Sequence, residues 1–172
     1  MPAADIKPLL IFGYGNVSRG DDALGPLLLE FIEEHFDLAA IEIQTDFQLQ
    51  IEHALDMAGR HLVLFVDASV GCVDAFDFTQ LAPVCDNSYS THAMSPAAVL
   101  QVYQTIERRP PPQSFLLSIQ GKHFELGTDL SPEAQANLAK AQRFIGPLLT
   151  RPTPDFWLSR VESPSDYAEP AL

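Results

Sequence analysis

The sequence is poor in cysteine and in basic side chains, and both shortages exclude classes of protein. Its 172 residues contain only Cys72 and Cys85, and ten lysines and arginines stand against 23 acids. Two cysteines without a CxxC pair form neither a zinc finger nor a disulfide scaffold, and they suit a reduced cytosolic protein. The sequence does not decide whether the two form a disulfide with each other. A net charge of −13 disfavours nucleic acid and anionic membranes as partners, because both recruit clustered cations.

Long apolar runs are also missing. The run at residues 8–12 is far too short to span a bilayer, and the N-terminus lacks the basic and apolar regions of a signal peptide. We therefore expect a cytoplasmic protein. Its length and its 47% hydrophobic content fit one domain with a sizeable core.

The familiar nucleotide and nucleophile motifs are incomplete or absent. Gly13 and Gly15 follow a first apolar strand, but the third glycine of a dinucleotide fingerprint is replaced by Ser18. Two acids follow Gly20, and they would repel phosphate at a helix N-terminus. There is no Walker loop and no G-x-S-x-G elbow, so nucleotide binding is disfavoured.

Strand and helix patterns alternate along the chain. Strands are predicted at residues 9–12, 41–45, 61–67, 75–81 and 114–120, and helices at residues 22–34, 50–58, 95–107 and 131–145. The near-continuous apolar run at 61–67 suits the middle of a parallel sheet, whereas the alternating run at 41–45 suits a position nearer the edge and the run at 75–81 suits an antiparallel strand. These patterns predict one α/β domain with a mostly parallel, doubly wound sheet over residues 1–150. Residues 151–172 are rich in proline and are expected to form a tail that is partly docked through Trp157.

Polar side chains lie where predicted strands end, which is where ligands bind in such sheets. They are the pair Asp21 and Asp22, then Asp67, then His92. Two carboxylates and an imidazole suit a divalent metal. Each residue also has an ordinary structural explanation: paired acids stabilise a helix N-terminus, and a histidine in a loop is usually solvated. Asp67 is harder to explain in this way, because an acid that closes an apolar strand is partly buried and needs a partner. The competing histidines are His53, His61 and His123.

The segment from Phe12 to Gly25 resembles the opening signature of the hydrogenase maturation proteases. That signature has a strand, G-x-G-N, four variable residues, two acids, and a glycine three positions after the second acid. Three later segments resemble further parts of the family in the expected order: residues 66–68 around the aspartate that ends a strand, 90–96 around a histidine loop, and 127–132 before the last helix. The resemblance covers roughly residues 9–149.

The resemblance implies a three-layer fold in which a twisted, mostly parallel five-stranded sheet lies between helices on both faces. It nominates Asp22, Asp67 and His92 as residues that contact metal and carry the chemistry. The implied activity is an endopeptidase that removes the C-terminal extension from the precursor of a NiFe-hydrogenase large subunit. The nickel would belong to that substrate, so the protease would need no cofactor of its own, and a monomer is expected.

Two departures refine the resemblance. Asp22 stands where some members carry glutamate, and residues 45–50 lack the Gly-Gly or Gly-Thr of many members. The latter segment is closer to the branch that serves cytoplasmic, NAD-coupled hydrogenases. The residues expected to contact substrate are Asn16, Asp21, Asp46 and Gln48.

Several alternatives remain at this point. The same three ligands would also suit a resident divalent ion, such as the zinc of an amide or peptide hydrolase, or a nickel chaperone that binds the large subunit without cutting it. Within the protease hypothesis, a metal that polarises the carbonyl and an aspartate that acts as general base are both open.

Overall fold

A computed structural model of the chain describes residues 5–84 and 94–161, and these contain a five-stranded sheet. Its strands are β1 (Leu9–Tyr14), β2 (Ile41–Asp46), β3 (Leu62–Ser69), β4 (Phe76–Leu81) and β5 (Gln113–Gln120). The strand order is β2-β1-β3-β5-β4. All neighbours are parallel except β4, which pairs antiparallel with β5. The predicted positions of β2 at an edge and β3 in the middle are therefore confirmed.

The helices are α1 (Leu24–His35), α2 (Pro96–Glu107), α3 (Pro132–Thr150) and α4 (Pro154–Val161). Two 3-10 helices, at Gly20–Ala23 and Ile51–Met57, lead into α1 and connect β2 to β3. The starts of α2 and α3 follow from sequence, because Ser95 and Ser131 accept hydrogen bonds from the third backbone N–H beyond them and a proline follows each serine.

Apolar side chains alternate between two cores, one on each face of the sheet. Ile11 and Leu64 belong to the core packed against α1, α3 and α4, whereas Phe12 and Phe65 belong to the core packed against the Ile51–Met57 helix and α2. The helices thus cover both faces, and the three-layer α/β fold expected from the sequence is confirmed.

The chain after residue 145 differs from the prediction. The last long helix was expected to end near Ile145, but α3 continues through Pro147 to Thr150 and α4 follows. The side chains of Leu148 and Leu149 are buried, and this packing offsets the backbone hydrogen bond that proline removes. Trp157 is fully buried and donates a hydrogen bond from Nε1 to the carbonyl of Leu148 (2.9 Å). Within residues 5–84 and 94–161 no helix is both long and apolar enough to cross a bilayer.

Candidate active site

The carboxyl ends of β1 and β3 bring the first two candidate residues to one edge of the sheet. The two strands pair in parallel with Gly13 opposite Val66, so Tyr14 and Asp67 follow one step further on adjacent strands. Asp67 shares a face with Phe65, because alternate residues of a strand point to the same side. The aspartate of β3 therefore lies beside the loop that leaves β1.

Glycines let the start of α1 approach this edge. A Cβ atom at Gly25 would lie 2.8 Å from the carbonyl oxygens of both Tyr14 and Val66. A Cβ atom at Gly15, whose φ is +149°, would lie 2.0 Å from the carbonyl oxygen of Asp22. Any other residue at these two positions would push the helix away. The glycine spacing of the signature is thus a packing requirement that presses Asp22 against the end of β1.

Asp22 lies in the 3-10 helix before α1 and is half-buried. Its Oδ2 accepts a hydrogen bond from the backbone N–H of Asn16 (2.7 Å), which orients the carboxylate across the β1 loop. The side-chain oxygen of Asn16 accepts from the N–H of Ser18 (2.9 Å) and closes the turn. Asn16 therefore shapes the loop that holds Asp22.

Asp67 has the most perturbed carboxyl group at this edge. Burial, and after it the nearby charge of Asp22, raises the pKa of Asp67 from an ordinary 3.8 to about 7. Hydrogen bonds from the N–H of Ala68 and the hydroxyl of Tyr14 act in the opposite direction without cancelling the effect of burial. A half-buried carboxyl group with a raised pKa beside a second acid forms a site that favours a cation or a proton.

Tyr14 is a site residue that the sequence prediction missed. Its ring is buried, and its hydroxyl donates a hydrogen bond to the carboxylate of Asp67. Burial and the charge of Asp67 both raise the pKa of Tyr14, so the phenol keeps its proton. Pairing the predicted strands would have found it, because Tyr14 follows Gly13 just as Asp67 follows Val66.

Asp21 points away from the surface. Its side chain is 0% exposed, and its carboxylate accepts hydrogen bonds from the N–H groups of Lys122 (2.8 Å), His123 (3.0 Å) and Ser131 (2.8 Å) and from the Ser131 hydroxyl (2.8 Å). Burial raises the pKa of Asp21, but these hydrogen bonds outweigh it and hold the pKa below its ordinary value. The two adjacent acids thus differ: Asp21 joins the loop after β5 to α1, and its carboxylate has no exposed surface to offer a substrate.

Asp46 and Gln48, the residues after β2 that were expected to contact substrate, lie at the same edge of the sheet. Asp46 ends β2; its carbonyl accepts from the N–H of Gly15 (3.0 Å), and its exposed carboxylate lies 3.4 Å from Nε2 of His53. The other ring nitrogen of His53 accepts from the N–H of Gln50 (2.8 Å). Gln48 is exposed. Asp46 and His53 therefore brace the loop next to Asp22.

His92 lies outside the described residues, so the structure does not test the predicted trio. Among residues 5–84 and 94–161 no three histidines, cysteines or acids cluster at metal-binding distance. Asp22 and Asp67, the two members of the trio that the structure describes, supply oxygen ligands that suit a divalent cation, which would need further ligands. A carboxyl group that titrates near neutrality also suits proton transfer.

Several solved structures are similar to this chain, although no protein-family model and no curated protein sequence matches it. The hydrogenase maturating endopeptidase HybD from E. coli superposes with a TM-score of 0.65 at 23% identity, over 83% of this chain and 91% of HybD. The [NiFe] hydrogenase maturation protease HycI from Thermococcus kodakarensis KOD1 gives a TM-score of 0.63 at 21% identity, over 84% and 94% of the two chains. A hydrogenase 2 maturation peptidase from a Thaumarchaeota archaeon gives 0.59 at 16% identity, over 83% and 98%.

These superpositions cover nearly the whole length of the solved proteins, so the chain shares their complete fold. At this level of identity the similarity establishes the fold, while activity has to be argued from the site.

Proposed function

We propose that this protein is an endopeptidase that removes the C-terminal extension of a NiFe-hydrogenase large-subunit precursor. The observation that carries the proposal is that Asp22, from the signature segment between Phe12 and Gly25, lies close enough to Asp67 at the carboxyl end of the sheet for its charge to raise the Asp67 pKa. The fold around this pair is the one found in solved hydrogenase maturation proteases.

The two carboxylates, together with His92, would bind nickel that the precursor already carries. Ionised Asp67 is costly in this position, since burial and the charge of Asp22 raise its pKa. A cation delivered by the substrate would remove that cost, so a loaded precursor would gain a contact that an unloaded one lacks. Asp22, Asp67 and His92 would thereby act as a sensor of nickel insertion.

The proposal includes the cellular setting predicted from the sequence. The enzyme would act as a monomer in the cytoplasm, without nucleic acid or membrane partners and without a cofactor of its own. The loop at residues 45–50 favours a hydrogenase of the NAD-coupled branch as the source of the substrate.

The test is an incubation of the purified protein with nickel-loaded and nickel-free precursor of a large subunit encoded beside it, followed by intact mass measurement. We expect loss of a C-terminal peptide from the loaded form alone. Asp22→Asn, Asp67→Asn and His92→Gln should each slow this cleavage by about 100-fold or more. Glu30→Gln on the exposed face of α1 and the exposed His61→Gln serve as controls and should cleave normally.

The other outcomes separate the competing functions. Equal cutting of both precursor forms would retain the protease and reject nickel sensing. Binding without cutting would indicate a large-subunit chaperone. Metal in the purified protein, together with cleavage of simple amides, would indicate a resident-metal hydrolase.

A further inference from the structure

Two loops beside Asp22 are joined into one surface, which we call the stapled rim: residues 16–20 after β1 and residues 122–128 after β5. Two backbone hydrogen bonds join them, from Gly127 N–H to the Ser18 carbonyl (2.7 Å) and from Gly20 N–H to the Thr128 carbonyl (3.1 Å). A third bond, from the N–H of Asp21 directly after the first loop to the His123 carbonyl (2.7 Å), reinforces the connection. The loops are therefore held together although they lie about a hundred residues apart in sequence.

Further contacts make the stapled rim rigid. The buried Asp21 carboxylate binds the backbone of Lys122 and His123. Gly20 has a φ of +54°, and a Cβ atom there would lie 2.5 Å from the carbonyl oxygen of His123. A surface that is ordered before binding loses little conformational entropy when a partner arrives.

The stapled rim presents apolar side chains to solvent. Val17 is 60% exposed and Leu126 is 68% exposed. Each precedes one end of the hydrogen bond between Ser18 and Gly127, so the two side chains lie on neighbouring stretches of backbone. Neighbouring exposed apolar side chains on a preordered backbone are suited to contact a partner's apolar groups at low entropic cost.

The stapled rim also concentrates positive charge in an acidic protein. Arg19 and Lys122 are both exposed, and neither takes part in an ion pair within the part of the chain that the structure describes. The rim contains one acid, the exposed Glu125, whereas the whole chain carries a net charge of −13. Two cations without partners beside apolar groups favour a partner that carries carboxylates.

The stapled rim is continuous with the candidate active site. The N–H of Asn16 donates to the Asp22 carboxylate (2.7 Å), and the carbonyl of Arg19 accepts from the N–H of Asp22 (3.1 Å). A chain bound on the rim would therefore lie next to Asp22.

We infer that the stapled rim binds the protein segment that flanks the scissile bond, with Val17 and Leu126 contacting its apolar side chains and Arg19 and Lys122 pairing with its carboxylates. This inference rests on the proposed function and identifies the surface that recognises the substrate. Asp21 acts here as a positioning residue that holds the two loops together.

The experiment compares two double variants of the stapled rim with matched doubles elsewhere. Arg19→Gln/Lys122→Gln is matched by Arg108→Gln/Lys140→Gln, and Val17→Ser/Leu126→Ser by Val84→Ser/Ile106→Ser, all at exposed positions. We expect each rim double to raise KM for the loaded precursor about tenfold while kcat changes less than about twofold. The matched doubles should leave both constants and the melting temperature close to wild type.

Binding is measured alongside cleavage, by calorimetry on the Asp67→Asn background, so that two failures can be distinguished. Wild type that binds the precursor without cutting it overturns the proposed function, and the loss of binding in the rim doubles still decides the rim. Unchanged KM and unchanged binding in both rim doubles would overturn the rim while leaving the protease intact. On the Asp67→Asn background, raised salt should weaken binding by the protein with the unchanged rim more than binding by Arg19→Gln/Lys122→Gln. Equal salt dependence of the two proteins would reject the pairing with carboxylates.

Discussion

Charged side chains are arranged differently at the amino and carboxyl ends of the sheet. At the amino end, the Arg60 side chain is 8% exposed; it pairs with Glu42 and donates to the carbonyls of Lys7 (2.9 Å) and Asp56 (2.9 Å). At the carboxyl end, Asp67 lies near a second acid, and burial raises its pKa to about 7. Opposite charges are thus paired at one end, and like charges are brought together at the other.

Exposed apolar side chains follow the same division. Most of the large apolar side chains that the structure shows as exposed lie in the segments that follow the carboxyl ends of strands: Val17, Phe47, Ile51, Val70, Val73 and Leu126. The amino end also has a small pocket, but its lining is mainly apolar, with Asp37 and His61 as the only side chains in it that can be charged. The amino end contributes to stability, whereas the carboxyl end carries features that cost stability and that the proposed binding and chemistry would explain.

The largest expected effect comes from Asp67→Asn. Cleavage should fall by about 100-fold or more, while the free energy of unfolding at pH 8 should rise by about 2–4 kcal/mol, because the substitution removes a carboxylate that is costly to ionise. Chemical denaturation and the cleavage assay measure the two effects. A variant that loses both activity and stability would contradict the view that this end is strained.

Measuring the free energy of unfolding of wild type and of Asp67→Asn as a function of pH sharpens the test. In the unfolded chain Asp67 ionises near its ordinary 3.8, whereas in the folded protein it ionises at about 7. Between these values the folded state binds more protons, so the contribution of Asp67 to stability is present below about pH 4 and is lost as the pH rises through 7. The slope of stability against pH should therefore be less negative in Asp67→Asn than in wild type over this range.

Gly15→Ala is expected to disrupt the carboxyl end through the backbone alone. The new Cβ would lie 2.0 Å from the Asp22 carbonyl at a φ of +149°, so we expect a loss of about 2–4 kcal/mol in unfolding free energy and a large loss of cleavage. Gly146→Ala in α3 is the matched control, because its Cβ meets nothing within 4 Å. That control should gain about 0.5–1 kcal/mol. Urea denaturation of both variants measures the difference.

Glu42→Gln tests the amino end. It leaves the buried guanidinium of Arg60 without its charged partner, although the two carbonyl hydrogen bonds remain. We expect unfolding free energy to fall by about 1–2 kcal/mol while cleavage stays at the wild-type rate. A clear loss of activity at unchanged precursor binding would show that the two ends are coupled.

The smallest expected effect is that of Tyr14→Phe. It removes the hydroxyl that stabilises the ionised Asp67, so the pKa of Asp67 should rise further and stability should change by less than about 1.5 kcal/mol. Carbon-13 NMR of the Asp67 carboxyl group follows this titration directly. Tyr103→Phe, in the same core, is the control and should leave the Asp67 titration unchanged.

Most of the sheet could be predicted because its signals are local. Period-two and continuous apolar runs identify β1 to β5, and a serine followed by proline marks the starts of α2 and α3. The end of α3 could not be predicted in this way, because Pro147 is a local stop signal that the burial of Leu148 and Leu149 overrides.

The sequence by itself determined the order of the elements and the glycine spacing that brings Asp22 to the end of β1, because both depend on neighbours along the chain. Only the tertiary structure decided that Asp21 faces inward while Asp22 does not, since the N–H groups that hold Asp21 come from residues 122–131. The same is true of the raised pKa of Asp67 and its contact with Tyr14. Burial and cross-strand proximity exist only once β1, β3 and α1 have packed together.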